Sequence, residues 1–186
     1  MLFRSLAADP EFARALTPYE PVAACPAIVR AMAAAAALAG VGPMAAVAGA
    51  ISAAVAQRLE EEFALRDLIV ENGGDIYLRT TRTRRISIYA GASPLSGRLA
   101  LVIDPALSPL GICTSSGTVG HSLSFGRADA ATVLAKDAAA ADAYATALGN
   151  MVQGPADIEA ALAWAAVRAE VLGAVVVAGN RVGGWG

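Results

Sequence analysis

Asp142 and Thr146 stand four residues apart in a stretch, Ala138 to Met151, that is otherwise mostly alanine. Residues at that spacing share one face of a helix, so a carboxylate and a hydroxyl point the same way with little polar competition beside them. Two hard oxygen donors on a small-residue face suit Mg²⁺ or Ca²⁺, which take oxygen ligands and keep positions for water and phosphate. A solvated aspartate beside a threonine bonded back to its own helix accounts for the same letters. The spacing leaves both open.

Two other constellations carry chemistry. Asn72-Gly73-Gly74-Asp75 closes an apolar run. Paired glycines let a backbone approach a ligand closely, and Asp75 could accept from a ribose, a base or a metal-bound water. A tight hairpin turn with a capping aspartate is the plainer reading. Thr114-Ser115-Ser116-Gly117-Thr118-Val119-Gly120-His121-Ser122 gathers hydroxyls, two glycines and the single histidine into one loop. Its backbone N–H groups could form an anion-binding nest around Ser115, Ser116 and Gly117. Ser115 or Ser116 could instead be a nucleophile with His121 as base, although no G-x-S-x-G elbow is present. The loop could also be structural.

The elements that must position these residues follow from pattern and punctuation. Pro10 to Leu16 reads as a short helix with proline in its first turn. Ala27 to Ala39 reads as a helix closed by Gly40, and a longer helical stretch runs from Pro43 to about Leu65. Leu68 to Val70, Ile76 to Leu78, Ile86 to Ala90, Leu99 to Ile103, Gly111 to Ser116, Ala131 to Leu134 and Gly173 to Ala178 read as strands. Asp137 caps a helix from Ala138 to about Met151, and Pro155 opens another reaching Val171. Arg79, Arg82, Arg84 and Arg85 lie between two of the strands and read as a solvated edge rather than a phosphate grip.

Bulk properties exclude several classes. The 186 residues suffice for one domain with a sizeable core. A net charge of -2 gives no electrostatic case for nucleic acid or an anionic membrane. Hydrophobic content is high at 56%, but the uncharged stretch Ala31 to Gln57 is chiefly alanine and glycine, broken at Gly42-Pro43. Alanine contributes little to membrane insertion, so two tightly packed small-residue helices are expected there. Met1 to Pro10 has no signal-peptide pattern, which places the expected compartment in the cytoplasm. Cys25 and Cys113 match no metal or redox spacing and read as buried thiols.

In order along the chain, these segments resemble the ApbE superfamily, the fold of FAD:protein FMN transferases. The resemblance rests on Ala48-Gly49-Ala50-Ile51, Val70 to Asp75, Thr114 to Gly117, and Asp142-Ala143-Tyr144-Ala145-Thr146-Ala147. A cytoplasmic ApbE-like branch is similar through Gly40 to Ala45, Ile112 to Phe125 and Gly183-Gly184-Trp185-Gly186 as well. The resemblance implies Mg²⁺ on Asp142 and Thr146. It also implies FAD or another flavin nucleotide flanked by Gly73, Gly74, Asp75, Ser115, Ser116 and Gly117. His121 would be the catalytic acid or base.

Departures from the transferase pattern are equally specific. The transferases carry a lysine in a Gly-Ile-Ala-Lys-Gly motif, where this chain has Gly49-Ala50-Ile51-Ser52-Ala53, and its one lysine is Lys136. Their His-Ile-x-Asp-Pro-x-Thr-Gly loop is replaced by His121-Ser122-Leu123-Ser124-Phe125-Gly126. The start in helical sequence leads us to expect that an N-terminal sheet segment of the relatives is missing. The expectation is a single α+β domain of ApbE type, a mostly antiparallel sheet packed with alanine-rich helices. Its partner would be a nucleotide or phosphorylated small molecule, and apolar strands left exposed would favour a homo-oligomer.

Overall fold

A computed structural model describes residues 2–120 and 122–186, the side chain of Phe3 apart. Helices α1 (Leu2–Ala8), α2 (Pro10–Arg14), α3 (Ala27–Ala39) and α4 (Val47–Glu62) come first. Strands β1 (Leu68–Asn72), β2 (Asp75–Arg79), β3 (Arg84–Ile88), β4 (Leu99–Ile103), β5 (Leu110–Ser115) and β6 (Ala130–Ala135) follow. Helices α5 (Ala138–Asn150) and α6 (Ile158–Ala166) then precede strands β7 (Val171–Ala178) and β8 (Arg181–Trp185). Six strands form one antiparallel sheet in the order β1-β2-β5-β6-β7-β8, while β3 and β4 pair separately.

Strand alternation sorts the core into two layers. Cys113, Ala131, Val133, Ala174 and Val176 face the helices, with α5 at the centre. Leu78, Leu110, Ile112 and Leu134 face the other way, onto Ile86, Leu101 and Ile103 of the two-stranded sheet. Alanine is what lets α5 sit in the middle: a larger residue at most of its positions would hold it off the sheet. Gly111 completes that approach, since a Cβ there would stand 2.4 Å from the Cα of Ala138. Asp137 caps α5 by accepting the N–H of Ala140 at 2.8 Å.

The small-residue stretch folds as expected into two elements. Gly40 ends α3 in the left-handed conformation (φ 75°), its N–H donating to the carbonyl of Ala36 at 2.8 Å. A 3₁₀ turn, Pro43–Ala46, leads into α4. Among the described residues no single helix is long and apolar enough to cross a membrane, and the two segments lie 104° apart.

Four local outcomes differ from or add to the sequence expectation. Helix α6 stops at Ala166 rather than Val171, because the apolar run from Val171 is drawn into the sheet as β7 and Arg168 folds back over the Trp164 ring at 4.4 Å. The closing Val182-Gly183-Gly184-Trp185 forms most of β8, and Leu2–Ala8 is helical. The arginine-bearing stretch connects strands of different sheets, β2 and β3, and two of its arginines are ion-paired. Arg79 pairs with Glu60 and Arg84 with Asp67, both at 3.0 Å. Asp67 is held well below the usual carboxylate range by the N–H and hydroxyl of Thr81, the hydroxyl of Thr80 and the Arg84 guanidinium.

Candidate functional site

Where β2 and β5 end beside α5, a cavity of about 680 Å³ opens between the helical layer and the two-stranded sheet. Helix α5 presents Asp142, Thr146 and Asn150 to it, one per turn. The N-terminal segment forms another wall through Ala15 and Leu16. That wall is close because Gly42 admits it: a Cβ on Gly42 would meet the Ala15 carbonyl oxygen at 1.8 Å.

Two buried carboxylates define the floor. Asp142 Oδ2 accepts the N–H of Gly49 at 2.9 Å, at the start of α4. Burial pushes the Asp142 carboxyl well above its ordinary value, the charge of Asp75 pushes it further, and the N–H groups of Gly49 and Ala48 act in opposition. Asp75 accepts the N–H of Thr114 at 3.2 Å, and its own carbonyl takes the hydroxyl of the buried Ser52 at 2.9 Å. Its carboxyl is raised to about 6, chiefly by burial, with the charge of Glu71 adding to it. Cys113 lies beside both acids, donates to the Ala138 carbonyl at 3.3 Å, and has its thiol pushed well up by burial and by the two carboxylates. Among the described residues neither carboxylate has a cationic partner.

The hairpin turn supplies a second wall. Asn72 pairs with Asp75 across Gly73 and Gly74, both at positive φ (67° and 104°), which is the two-residue turn those glycines require. Gly73, Gly74 and Asp75 all line the cavity, as do Ser115 and Ser116. Gly117 does not. Its N–H donates to the Ala128 carbonyl at 2.8 Å, and a Cβ there would stand 2.1 Å from the Gly126 carbonyl oxygen.

Ser116 Oγ accepts the N–H groups of Thr118 and Val119 at 3.1 and 3.0 Å. The N–H groups of residues 117 to 119 are thus directed to protein acceptors rather than into the cavity, and the Ser116 hydroxyl is engaged in its own turn. His121 lies outside the described residues. Lys136 is remote, its ammonium donating to the Leu107 carbonyl at 2.9 Å.

The donor set can be tested against Mg²⁺. Among the described residues no group of three or more His, Cys, Asp or Glu side chains is arranged to hold a metal. Mg²⁺ does not need one: it is commonly held by one or two carboxylates together with substrate phosphates and water. Asp142 and Thr146 present oxygen donors on one helix face, beside a second carboxylate that has no cationic partner among the described residues. These residues fit Mg²⁺ shared with a phosphate-bearing ligand.

Sequence reasoning named Thr114 but missed Asn150, Thr132 and Cys113 at this site. Asn150 could have been found by extending the four-residue progression from Asp142 and Thr146. The Thr114–Thr132 hydroxyl pair, 2.9 Å apart, and the nearness of Cys113 to both acids arise from strand pairing and left no local signal.

The family model described as "AbpE bacteria" matches residues 1–181. The chain belongs to the ApbE-like superfamily. A UPF0280 protein of Methanosphaerula palustris is 49% identical over 186 residues, covering all of this chain and 76% of the relative. Another, of Methanoculleus marisnigri, is 53% identical over 184 residues, covering 98% of this chain and 73% of the relative. Among solved structures, the flavin transferase ApbE from Vibrio cholerae superposes with a TM-score of 0.53 at 20% identity, covering 78% of this chain and 50% of that one. The apo flavinyl transferase ApbE of Pseudomonas stutzeri gives 0.52 at 19% identity, covering 78% and 49%. The shared feature is the fold, and the chain spans about half the length of these transferases.

Proposed function

We propose that the cavity binds FAD or a related flavin nucleotide, its diphosphate sharing Mg²⁺ with Asp142 and Thr146. The observation that carries this reading is the pair of buried carboxylates, Asp75 and Asp142, which have no cationic partner among the described residues and lie on the floor of a cavity of about 680 Å³. Burial makes both carboxyls hold a proton more tightly than usual, and a cation that arrives with the ligand would take the proton's place. The names of the structural neighbours, flavin transferases, agree with a flavin nucleotide as that ligand.

When bound, Mg²⁺ supplies positive charge against the diphosphate oxygens. The chain's own residues do the rest. Gly49 and Ala48 orient the Asp142 carboxylate through their N–H groups, and Gly73 and Gly74 leave the hairpin wall open for close approach. Leu16, Tyr89, Leu123 and Phe125, exposed at the rim, offer apolar surface to a ring system. The reaction class in this reading is cleavage of the P–O–P link of FAD: the FMN phosphorus gains a bond to a protein hydroxyl or water oxygen, AMP leaves, and the acceptor's proton is released, with His121 as acid or base on the sequence argument.

One observation favours a second reading, ligand binding without transfer. Where the transferases carry their lysine, this chain places Ser52 and its neighbours in α4, and the Ser52 side chain is fully buried on the Asp75 carbonyl. The proposal also includes a cytoplasmic homo-oligomer, in which Val102 of the two-stranded sheet, 62% exposed and outside the cavity lining, would be covered; light scattering showing a clean monomer would remove that part. The ligand is tested by thermal shift with FAD, with and without Mg²⁺, on the natural chain and Asp142→Ala. A shift that needs Mg²⁺ and disappears in Asp142→Ala is expected. No shift with any flavin nucleotide would overturn the reading.

A further inference from the structure

Three loops meet at one end of the cavity, and a single carboxylate outside the metal and ligand set ties them together. Asp129 Oδ1 accepts the hydroxyl of Thr118 at 2.9 Å, and its Oδ2 accepts the N–H of Gly179, in the β7–β8 turn, at 2.7 Å. The carbonyl of that same Gly179 accepts the hydroxyl of Ser93 at 2.6 Å. Ser93 is buried and belongs to the segment that follows β3. The two cavity-side segments also touch directly: a Cβ on Gly91 would stand 2.6 Å from Val119 Cγ2. Val119 and Gly120 line the cavity, as do Ile88 and Tyr89.

We infer that Asp129 is a positioning residue that holds the Ser116-to-Gly120 wall against the Gly91 segment and so sets the shape and affinity of the cavity. Both its oxygens are used in fixing the loops. The β7–β8 turn serves as the anchor because it is held in register by β7, whose inner residues Val176 and Val177 are fully buried. The two-stranded sheet and the six-stranded sheet share no strand pairing; apolar packing of Ile88 and Ala90 on Ala130 and Val177 holds them together, and the Asp129 and Ser93 bonds add directional ties to it.

The test compares the natural chain with Asp129→Ala, Asp129→Asn and Thr118→Val, by amide hydrogen exchange without ligand and by FAD fluorescence titration in Mg²⁺. Asp129→Ala is expected to speed exchange in residues 91–97 and 116–120, to leave α5 protected, and to weaken FAD binding about tenfold. Asp129→Asn keeps one acceptor oxygen and should recover part of both effects. Thr118→Val should be weaker than Asp129→Ala and add nothing to it in the double variant. Unchanged exchange in the two segments, a rise spread evenly through α5, or looser loops with unaltered FAD affinity would each overturn the inference. The affinity arm alone rests on the proposed ligand. If the natural chain fails to bind FAD, that reading falls, and the exchange arm still decides whether Asp129 holds the loops.

Discussion

The Asp142 carboxylate accepts the backbone N–H of Gly49 at 2.9 Å across 93 residues of sequence, and a Cβ on Gly49 would meet the Ala138 carbonyl oxygen at 2.2 Å. The bond exists because α4 and α5 touch backbone to backbone at this point. Glycine is there for space rather than for an unusual φ.

Gly49→Ala should therefore push the start of α4 away from α5. Overpacking of this kind costs about 1–3 kcal/mol, and it should break the hydrogen bond that aims Asp142. Urea unfolding checks the stability, and Mg²⁺-dependent FAD binding should weaken in the same variant.

Asp142→Asn separates stability from function. Asparagine can still accept from Gly49, while the cost of burying an ionisable carboxyl beside Asp75 disappears. Metal-free thermal unfolding should show equal or greater stability than the natural chain. Mg²⁺-dependent FAD affinity should fall by on the order of tenfold to a hundredfold, at about 1.4 kcal/mol per decade. Thr146→Val should weaken the same binding with little effect on folding.

The metal-free protein should lose stability as pH rises from about 4 to about 6. Asp75 has an ordinary value of 3.8 and is raised to about 6 in the folded chain, so the folded state holds the proton more tightly than the unfolded one. Stability from this group is complete below pH 4 and is lost as pH climbs through 6, at up to about 1.4 kcal/mol per pH unit. Melting temperature against pH in EDTA should fall less steeply in Asp75→Asn, the remaining slope coming from the buried Asp142 carboxyl.

Ser116→Ala tests the hydroxyl as a turn element against the hydroxyl as a nucleophile. Loss of the acceptor for Thr118 and Val119 should cost about 1 kcal/mol. Any FAD cleavage measured in the natural chain should persist. Abolished turnover in a folded variant would favour the nucleophile.

Local chemistry made much of this legible. The Asp142/Thr146 face followed from helical periodicity, and the β1–β2 turn followed from two adjacent glycines needing positive φ. What stayed hidden was long-range. Asp75 reaches Asp142 only because β2 pairs with β5 and α5 packs over both, and no spacing in the chain encodes that meeting. The end of α6 was misplaced because Ala166 to Val171 has acceptable helix propensity, and the buried β7 ladder decides the boundary instead. The Asp129 tie depends on a turn 50 residues further along the chain.

The most direct measurement is an equilibrium titration of FAD against the natural chain at a series of Mg²⁺ concentrations, repeated in EDTA. If Asp142 and Thr146 share Mg²⁺ with the ligand's diphosphate, FAD affinity rises with Mg²⁺ until the site saturates, and Asp142→Ala abolishes the dependence. Equal FAD affinity in Mg²⁺ and in EDTA, or a Mg²⁺ dependence that survives in Asp142→Ala, would contradict the proposed site.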